Sequence, residues 1–382
     1  MIGNSVKVAE MMIPVNEPLL NDQALKYVEE CVRTAWISSE GRFIRGFESS
    51  WAAYCGMEHG VAVSNGTAAL EVAMACLGLE PGDEVILPTF TIISCALAII
   101  EAGALPVLVD CDPHTWCMDV SQVEAKVTPR TRAIMPVHMY GHPVDMDPLC
   151  DLARKHGLFI VEDAAEAHGA EYRGRKVGGI GDLSCFSFYA NKIVTAGEGG
   201  MVLAKRSDHA ERLRSMRNLC FRHDRRFYHT ELGHNYRLTN LQAAIGLSQV
   251  EQIEEHVRRK RWMGRAYTER LSDLSQIALP VEEPWAKNVY WMYGLVLSDD
   301  VEYDATELAQ RLRTEGVDTR PFFIGMHEQP VLQQRDLFAG ERYPVAERIA
   351  RRGLYLPSGL ALTEAQLETV CLAVRKVLEA PG

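Results

Sequence analysis

HGVAVSNGTAALEVAMACLGLEPGDEVILPTFTIISCALAIIEAGALPVLVDCD, residues 59–112, decides the fold class. HGVAVSNG reads as a strand and tight turn, and TAALEVAMACLGL as a helix ending at Gly78. PGDEVILP is a turn and strand, TIISCALAIIEAG a helix, and ALPVLVDCD a strand again. Outward from this block, RAIMPVHMYG, MDPLCDLARKHG and FIVEDAAEA continue as strand, helix and strand. Strands that are apolar almost throughout, with helices between them, fit a parallel sheet covered on both faces. The expectation is a doubly wound α/β domain.

Before this block lies a lead-in containing Pro14 and Pro18, then an amphipathic helix, NDQALKYVEECVRTAW, with Asn21 or Asp22 as N-cap. After Tyr236 the character changes. Residues 239–271 keep helical periodicity without an internal proline and are expected to bridge into a second domain. There VYWMYGLVL reads as a strand and DATELAQRLRTEG as a helix with Asp304 near its start. VDTRPFF is a strand or loop, and TEAQLETVCLAVRKVLE is a closing helix with Thr363 as N-cap. The division expected is a large domain over 1–248 and a smaller α+β domain over 249–382.

Composition excludes several classes. A chain of 382 residues that is 47% apolar and 24% charged can bury a large core, which argues against disorder. Its net charge of −11, from 40 basic and 51 acidic residues, argues against nucleic acid as the main partner. An anionic small molecule is still allowed in a locally positive pocket. The ten cysteines contain no CxxC pair and sit mostly among apolar residues, as Cys95 does, so free core thiols are expected. The start, MIGNSVKVAEMMIP, lacks a signal peptide's apolar region, because Lys7 and Glu10 interrupt it. Glu101, Gly103 and Pro106 divide FTIISCALAIIEAGALPVLV into pieces too short to span a bilayer. A soluble cytoplasmic protein is expected.

Open parallel sheets bind ligands beyond the carboxyl ends of their strands, so the strand-to-helix turns are where chemistry is sought. Ser64-Asn65-Gly66-Thr67 opens a helix and offers backbone N–H groups, a hydroxyl and a positive dipole end. It reads as a phosphate anchor, though taken alone an ordinary N-cap turn is the plainer reading. Glu162-Asp163-Ala164-Ala165-Glu166 follows the apolar FIV. Its acids are compatible with metal ligation, with acid–base work, with pairing to a protonated ring nitrogen, or with a solvated helix start. The third turn, SCFSFYANK ending at Lys192 and then IVTAGEGG, sets a lysine between an aromatic run and a glycine-rich turn. Desolvation there would lower its pKa and free the amine to attack carbonyls; a surface loop lysine is the plainer reading.

Together the three turns supply what a pyridoxal phosphate site requires: a phosphate anchor, an acid for the ring nitrogen and a Schiff-base lysine. VSNGTAAL, GDEVILPTFT, VEDAAEAHGA, SFYANKIVTAGEGG and NYRLTNLQAAIG resemble the sugar-nucleotide aminotransferases of the DegT/DnrJ/EryC1/StrS family, over a range from about residue 12 to the C-terminus. The resemblance implies a fold-type I PLP-dependent aminotransferase, with a mixed, mostly parallel sheet in the large domain and a smaller C-terminal α+β domain. SFYANK, TRPFFIGMHEQP and VHMYGHPVDMD are most similar to the branch that moves an amino group from glutamate to C4 of GDP-4-keto-6-deoxy-mannose. That branch makes a deoxyamino sugar for O-antigen lipopolysaccharide. The related 3-dehydratases carry histidine where Lys192 stands, so the lysine favours transamination.

The resemblance also implies roles. Lys192 would carry the cofactor and shuttle protons, and Asp163 would pair with the pyridine nitrogen. Gly66, Thr67 and Ser187 would hold the phosphate, and Glu166, where many relatives have glutamine, would lie near the ring hydroxyl. Ile92 stands where relatives place a ring-stacking aromatic; apolar packing by Ile92 or reach by Phe90 would replace it. Asn235 would cross a dimer interface to the partner's phosphate, with Arg237 beside it, making a homodimer obligatory. Ser39 in the WISS lead-in, His138, Arg320 and His327 are the candidate substrate contacts, and the run Arg222–Arg226 with His223 is a nucleotide contact or a solvated loop. The rival readings are transfer at C3 or on a dTDP- or UDP-linked sugar, a catalytically silent regulator, and a metal hydrolase built on Asp163, Glu166 and His168.

Overall fold

A computed structural model describes residues 12–222 and 224–379; residues 1–11, His223 and residues 380–382 lie outside them. The first nine strands in chain order supply the main sheet and part of a flanking ribbon. These are β1 (His59–Val63), β2 (Glu84–Pro88), β3 (Leu105–Val109), β4 (Thr131–Ile134), β5 (Phe159–Asp163), β6 (Glu171–Tyr172), β7 (Arg175–Lys176), β8 (Leu183–Ser187) and β9 (Gly200–Ala204). Seven of them form one sheet in the order β1-β9-β8-β5-β4-β2-β3. β3, β2, β4, β5 and β8 run parallel, whereas β9 is antiparallel to both β8 and β1. The sheet is therefore mixed and mostly parallel, as the resemblance implies, and not uniformly parallel as the alternation alone suggests.

The reversed strand matters for the site. β8 ends at Ser187 and β9 begins opposite it at Gly200, so residues 188–199 form the return loop. That loop carries Lys192 and lies at the edge where β5 ends at Asp163, itself paired with Cys185. Behind the loop, Trp51 of the helix Arg42–Cys55 is fully buried against Phe186, Phe188 and His168. Aromatic burial of this size contributes about 3–5 kcal/mol, so the loop rests on a stiff floor.

The expected helices form with the expected caps. Asn21 accepts from Ala24 N–H at the start of Asp22–Arg33, and Asp304 accepts from Thr306 and Glu307 N–H at the start of Ala305–Thr314. Met146–His156 stops at Gly157, whose φ of 68° is the left-handed conformation that glycine adopts at no steric cost. The continuous helix expected over 239–271 is instead two, Asn240–Val250 and Ile253–Leu271. Gln252 (φ −118°, ψ 10°) breaks the run, and its carbonyl starts the second helix by accepting from Glu255 and His256 N–H. No proline is needed for such a break, which is why the spacing hides it.

The C-terminal part adds β10 (Ile277–Ala278), β11 (Ala286–Lys287), β12 (Tyr293–Leu297), β13 (Arg320–Pro321) and β14 (Gly353–Leu356). β10-β12-β14-β13 make an antiparallel sheet, and β11 pairs with β6 in a ribbon completed by β7. Buried apolar side chains fall into two clusters. The smaller takes Ile13 together with residues from Met263 to Leu378, and the lead-in is tied to it by Ile13 N–H donating to Gly316 at 2.8 Å. The larger contains the main sheet but also Trp291, Phe322 and Ile349 from the C-terminal third. All ten cysteines are free thiols, nine of them buried. Among the described residues no helix is long and apolar enough to cross a membrane.

Candidate active site

A cavity of about 650 Å³ opens at the carboxyl ends of β1, β5 and β8. It is lined by Gly66, Thr67, Ile92, Asp163, Glu166, Ser187 and Lys192, which the structure thus brings together from four segments of chain. At one end the helix Gly66–Cys76 presents its N-terminus. Asn65 caps it, its side chain accepting from Ala68 N–H and its carbonyl from Ala69 N–H, which leaves the Gly66 and Thr67 amides outside the helix's own bonds. A Cβ on Gly66 would fall 2.7 Å from Ser187 Cβ, so only glycine keeps this corner open. Thr67 Oγ1 lies 2.9 Å from Ser94 Oγ, a hydroxyl that the sequence reading did not single out.

Asp163 sits at the floor, 3% exposed. One carboxylate oxygen accepts from Ala165 N–H at 3.0 Å and the other from the Cys95 thiol at 3.1 Å. Glu166 accepts from Tyr140 N–H at 2.8 Å, a donor delivered by a turn in which Tyr140 takes φ 51°. Burial pushes Glu166 up to about 7, against the lowering pull of Lys192 and the Tyr140 N–H, with the Asp163 charge adding to the rise. Burial pushes the Lys192 amine down, and the charges of Glu166 and Asp163 partly restore it. The amine lies 3.6 Å from the centroid of the Trp291 ring, whose Nε1 donates to Asn191 O at 2.8 Å.

His168 supports the loop instead of lining the cavity. Its Nδ1 accepts from Val194 N–H at 3.2 Å, just after Lys192, and burial pushes its pKa down to about 3. The metal reading of Asp163, Glu166 and His168 finds no such arrangement: among the described residues no three His, Cys, Asp or Glu side chains are grouped to hold an ion. Glu162 also faces inward. It accepts from the N–H groups of Gly178, Ile180 and Gly181 and from His138 Nε2 at 3.0 Å. Burial works against its charge, but His138 and those amides bring its pKa below the usual range.

The remaining candidates lie elsewhere. His138 is fully buried, with Nε2 on Glu162 and Nδ1 accepting from Val144 N–H, so both nitrogens are committed inside the protein. His327 is likewise committed, to Thr89 Oγ1 at 2.8 Å and Glu347 Oε1 at 3.2 Å. Neither lines the cavity wall. Phe90 is fully buried among Tyr140, Phe322 and Phe323 and is also absent from the wall, leaving Ile92 at the position in question. Arg320 is exposed and paired with Asp318, one strand from Tyr355 on the wall. Ser39 and Arg237 line a second cavity, of about 900 Å³, with Arg214, Arg217 and Arg226. Asn235 is exposed and lies on neither wall. Trp291, Phe323, Tyr355 and Tyr236 also line the first cavity.

Residues 18–375 match the model of the DegT/DnrJ/EryC1/StrS aminotransferase family. Among similar proteins is the GDP-perosamine synthase of Caulobacter vibrioides, 42% identical over 96% of this chain and 98% of that one. The GDP-perosamine synthase of Escherichia coli O157:H7 is 39% identical over 95% of this chain and 98% of its own. Among solved structures, DesV of S. venezuelae, crystallised with a ketimine intermediate, superposes with a TM-score of 0.87 at 37% identity, covering 94% of this chain and 95% of that one.

Proposed function

Because the chain belongs to the DegT/DnrJ/EryC1/StrS aminotransferase family and is an enzyme, we propose that it transfers the amino group of glutamate to C4 of GDP-4-keto-6-deoxy-mannose, giving GDP-perosamine. The cofactor we assign is pyridoxal 5'-phosphate. Its fit rests on the bare corner at Gly66, which a single Cβ would fill, opposite a lysine amine and a buried carboxylate in one cavity. Gly66, Thr67 and Ser187 would hold the phosphate, Asp163 the ring nitrogen, and Lys192 the aldehyde end. Glu166 would face the ring's hydroxyl and Ile92 its flank. Bound there, the group supplies an electron sink to the carbon that exchanges nitrogen.

The chain's own residues then do the following. Asp163 is fixed by Ala165 N–H and the Cys95 thiol, so it is pre-set as an acceptor for a protonated nitrogen. Lys192, its amine lowered by burial, takes and returns the proton at the reacting carbon. Trp291 holds that amine against an aromatic face and excludes water from one side. The charges of Glu166 and Asp163 favour the protonated form of the amine against its burial.

The observation that carries this reading is the buried Lys192 amine above Trp291, in one cavity with Asp163 and the Gly66 corner. We take the working unit to be a homodimer in which Asn235, exposed and off its own cavity wall, would serve a second copy. The ten free thiols suit a reducing cytoplasm. The test is to incubate the protein with glutamate and GDP-, dTDP- and UDP-linked keto sugars and identify products by mass and NMR. Amination at C4 of the GDP sugar is expected, with Lys192→Ala inactive; amination at C3, or of another nucleotide's sugar only, would replace this assignment.

A further inference from the structure

The Lys192 amine meets the indole face of Trp291 in a fixed geometry. Its Nζ lies 3.6 Å from the ring centroid, and among the described residues it donates no hydrogen bond and forms no ion pair. Glu166 and Asp163 act on it by charge across a gap, whereas the ring is in direct contact. The tryptophan itself is held at three points. Its Nε1 donates to Asn191 O at 2.8 Å, which ties the ring to the peptide next to Lys192. Its carbonyl accepts from Lys260 Nζ at 2.7 Å, and Tyr140 stacks beside it with ring centroids 6.3 Å apart. Asn191 O also accepts from Asn16 Nδ2 at 3.2 Å, so the indole and the lysine's loop are fixed to each other.

An ammonium withdrawn from water needs a compensating partner, and an aromatic face supplies one through the negative charge of its π cloud, tryptophan most strongly. A neutral amine gains nothing comparable. We propose that Trp291 is a positioning residue for proton transfer: its indole face seats Lys192 in the charged form, while the amine holds the proton between taking it from the reacting carbon and returning it. This inference rests on the reading of Lys192 as the amine that moves that proton. A C–H bond breaks as an N–H bond forms, its electron pair passing into the bound cofactor, and the reverse step returns both. The titratable groups around the amine are Asp163, Glu166 and His168 from the end of β5 and the turn after it, Tyr355 on the cavity wall, and Lys260 beyond the ring. Burial keeps His168 neutral, and the two acids favour the charged amine just as the ring does. A test must therefore change the ring alone.

The experiment uses the full chain freed of cofactor, so that Lys192 is an amine. Brief pulses of acetic anhydride over a range of pH acetylate only the neutral form, and the Lys192 peptide is quantified by mass spectrometry. At position 291 the tryptophan is replaced by one fluorinated around its benzene ring, which nearly keeps the shape and the indole N–H but drains negative charge from the face. Weakening the ring's attraction destabilises the charged amine, so the labelling midpoint is expected to fall by about half to one pH unit in the fluorinated protein. Trp291→Leu, which removes the ring, is expected to fall by at least as much. In the cofactor-loaded enzyme the acid limb of the kcat profile is expected to move down with the midpoint. A fluorinated protein whose Lys192 midpoint matches wild type, or whose acid limb stays in place, overturns the inference, and this holds even if the leucine variant fails to fold. The labelling needs no cofactor. A midpoint that falls in a chain whose Lys192 does not take up pyridoxal 5'-phosphate overturns the cofactor reading and leaves the contact standing, so the two failures are told apart.

Discussion

Cys95 donates its thiol hydrogen to Asp163 Oδ2 at 3.1 Å, beneath the candidate active site. The thiol is pushed far above its ordinary range by burial and by the Asp163 charge, so it stays protonated and serves as a donor, not a nucleophile. Asp163 is a buried carboxylate, and among the described residues the only other donor to its side chain is Ala165 N–H. Cys95→Ala removes a partner from a buried charge and leaves a small void; a stability loss of roughly 1–3 kcal/mol is expected. Cys95→Ser retains the donor and is expected to lose less than half as much. Urea denaturation of both variants checks the ordering; an alanine variant as stable as wild type would mean the thiol is only packing.

Gly66 makes a second prediction, of opposite character. By propensity alone alanine stabilises a helix over glycine by about 1 kcal/mol. At this first position of the helix, however, the added carbon would meet Ser187 Cβ at 2.7 Å. Gly66→Ala is therefore expected to keep its fold but to bind pyridoxal 5'-phosphate at least ten-fold more weakly, as read by absorbance titration. Adding Ser187→Gly removes the clashing atom and should restore part of that affinity. If Gly66→Ala binds the cofactor as wild type does, the corner is not the phosphate site.

What was legible in the sequence was local. The turns holding Gly66, Asp163 and Lys192 each announce themselves by the residues beside them, and β-strand ends bring such turns together in any open α/β sheet. Trp291 was read only as part of a strand, because nothing about a tryptophan 99 positions from Lys192 says that their side chains will meet. The internal commitments of the histidines were hidden for a related reason. Whether His138 or His327 faces a ligand depends on what else claims its nitrogens, and Glu162, Val144, Thr89 and Glu347 all come from outside their local motifs. The reversed β9 was hidden because GMVLA is as apolar as its parallel neighbours, and apolarity reports burial, not direction. A boundary at 248 falls near the break between the helices Asn240–Val250 and Ile253–Leu271, yet the two cores interleave, since Ile253 and Val257 pack with the main sheet while Met263 and Tyr267 pack with the second.

Glu166 predicts a pH dependence of known sign. Burial holds its pKa near 7 in the folded protein, against an ordinary value of 4.5. Between those limits the folded protein keeps a proton that the unfolded chain has released, so its contribution to stability falls as pH rises through that window. Glu166→Gln cannot ionise. It is expected to be more stable than wild type above the window, by roughly 3 kcal/mol, and no more stable below it. Removing the Glu166 charge also removes the larger of the two attractions that restore the Lys192 amine, so that amine should titrate lower still in the variant. Urea midpoints on the two sides of the window decide the first point, and a constant difference between the two proteins would refute it.

Lys260 gives the reverse case. It lies on the helix Ile253–Leu271 at 2% exposure, with Nζ donating to Trp291 O at 2.7 Å and to Ser358 O. It thus fixes the backbone of the residue whose ring carries the Lys192 amine. Burial pushes Lys260 down to about 7 from 10.5. Across that interval the unfolded chain holds a proton that the folded protein has shed, so stability from this group rises with pH and the penalty on the charged form is complete below it. Lys260→Met removes the charge and also leaves two carbonyls without their donor. Its disadvantage relative to wild type is therefore expected to grow as pH is raised through the interval, because the wild type sheds its penalty while the variant's unpaired carbonyls stay. The loosened Trp291 backbone should also shift the near-ultraviolet circular dichroism and lower kcat more than it raises KM for glutamate. A stability difference that shrinks with pH, or a variant with unaltered kcat, would show that Lys260 neither carries the buried charge nor steadies the site.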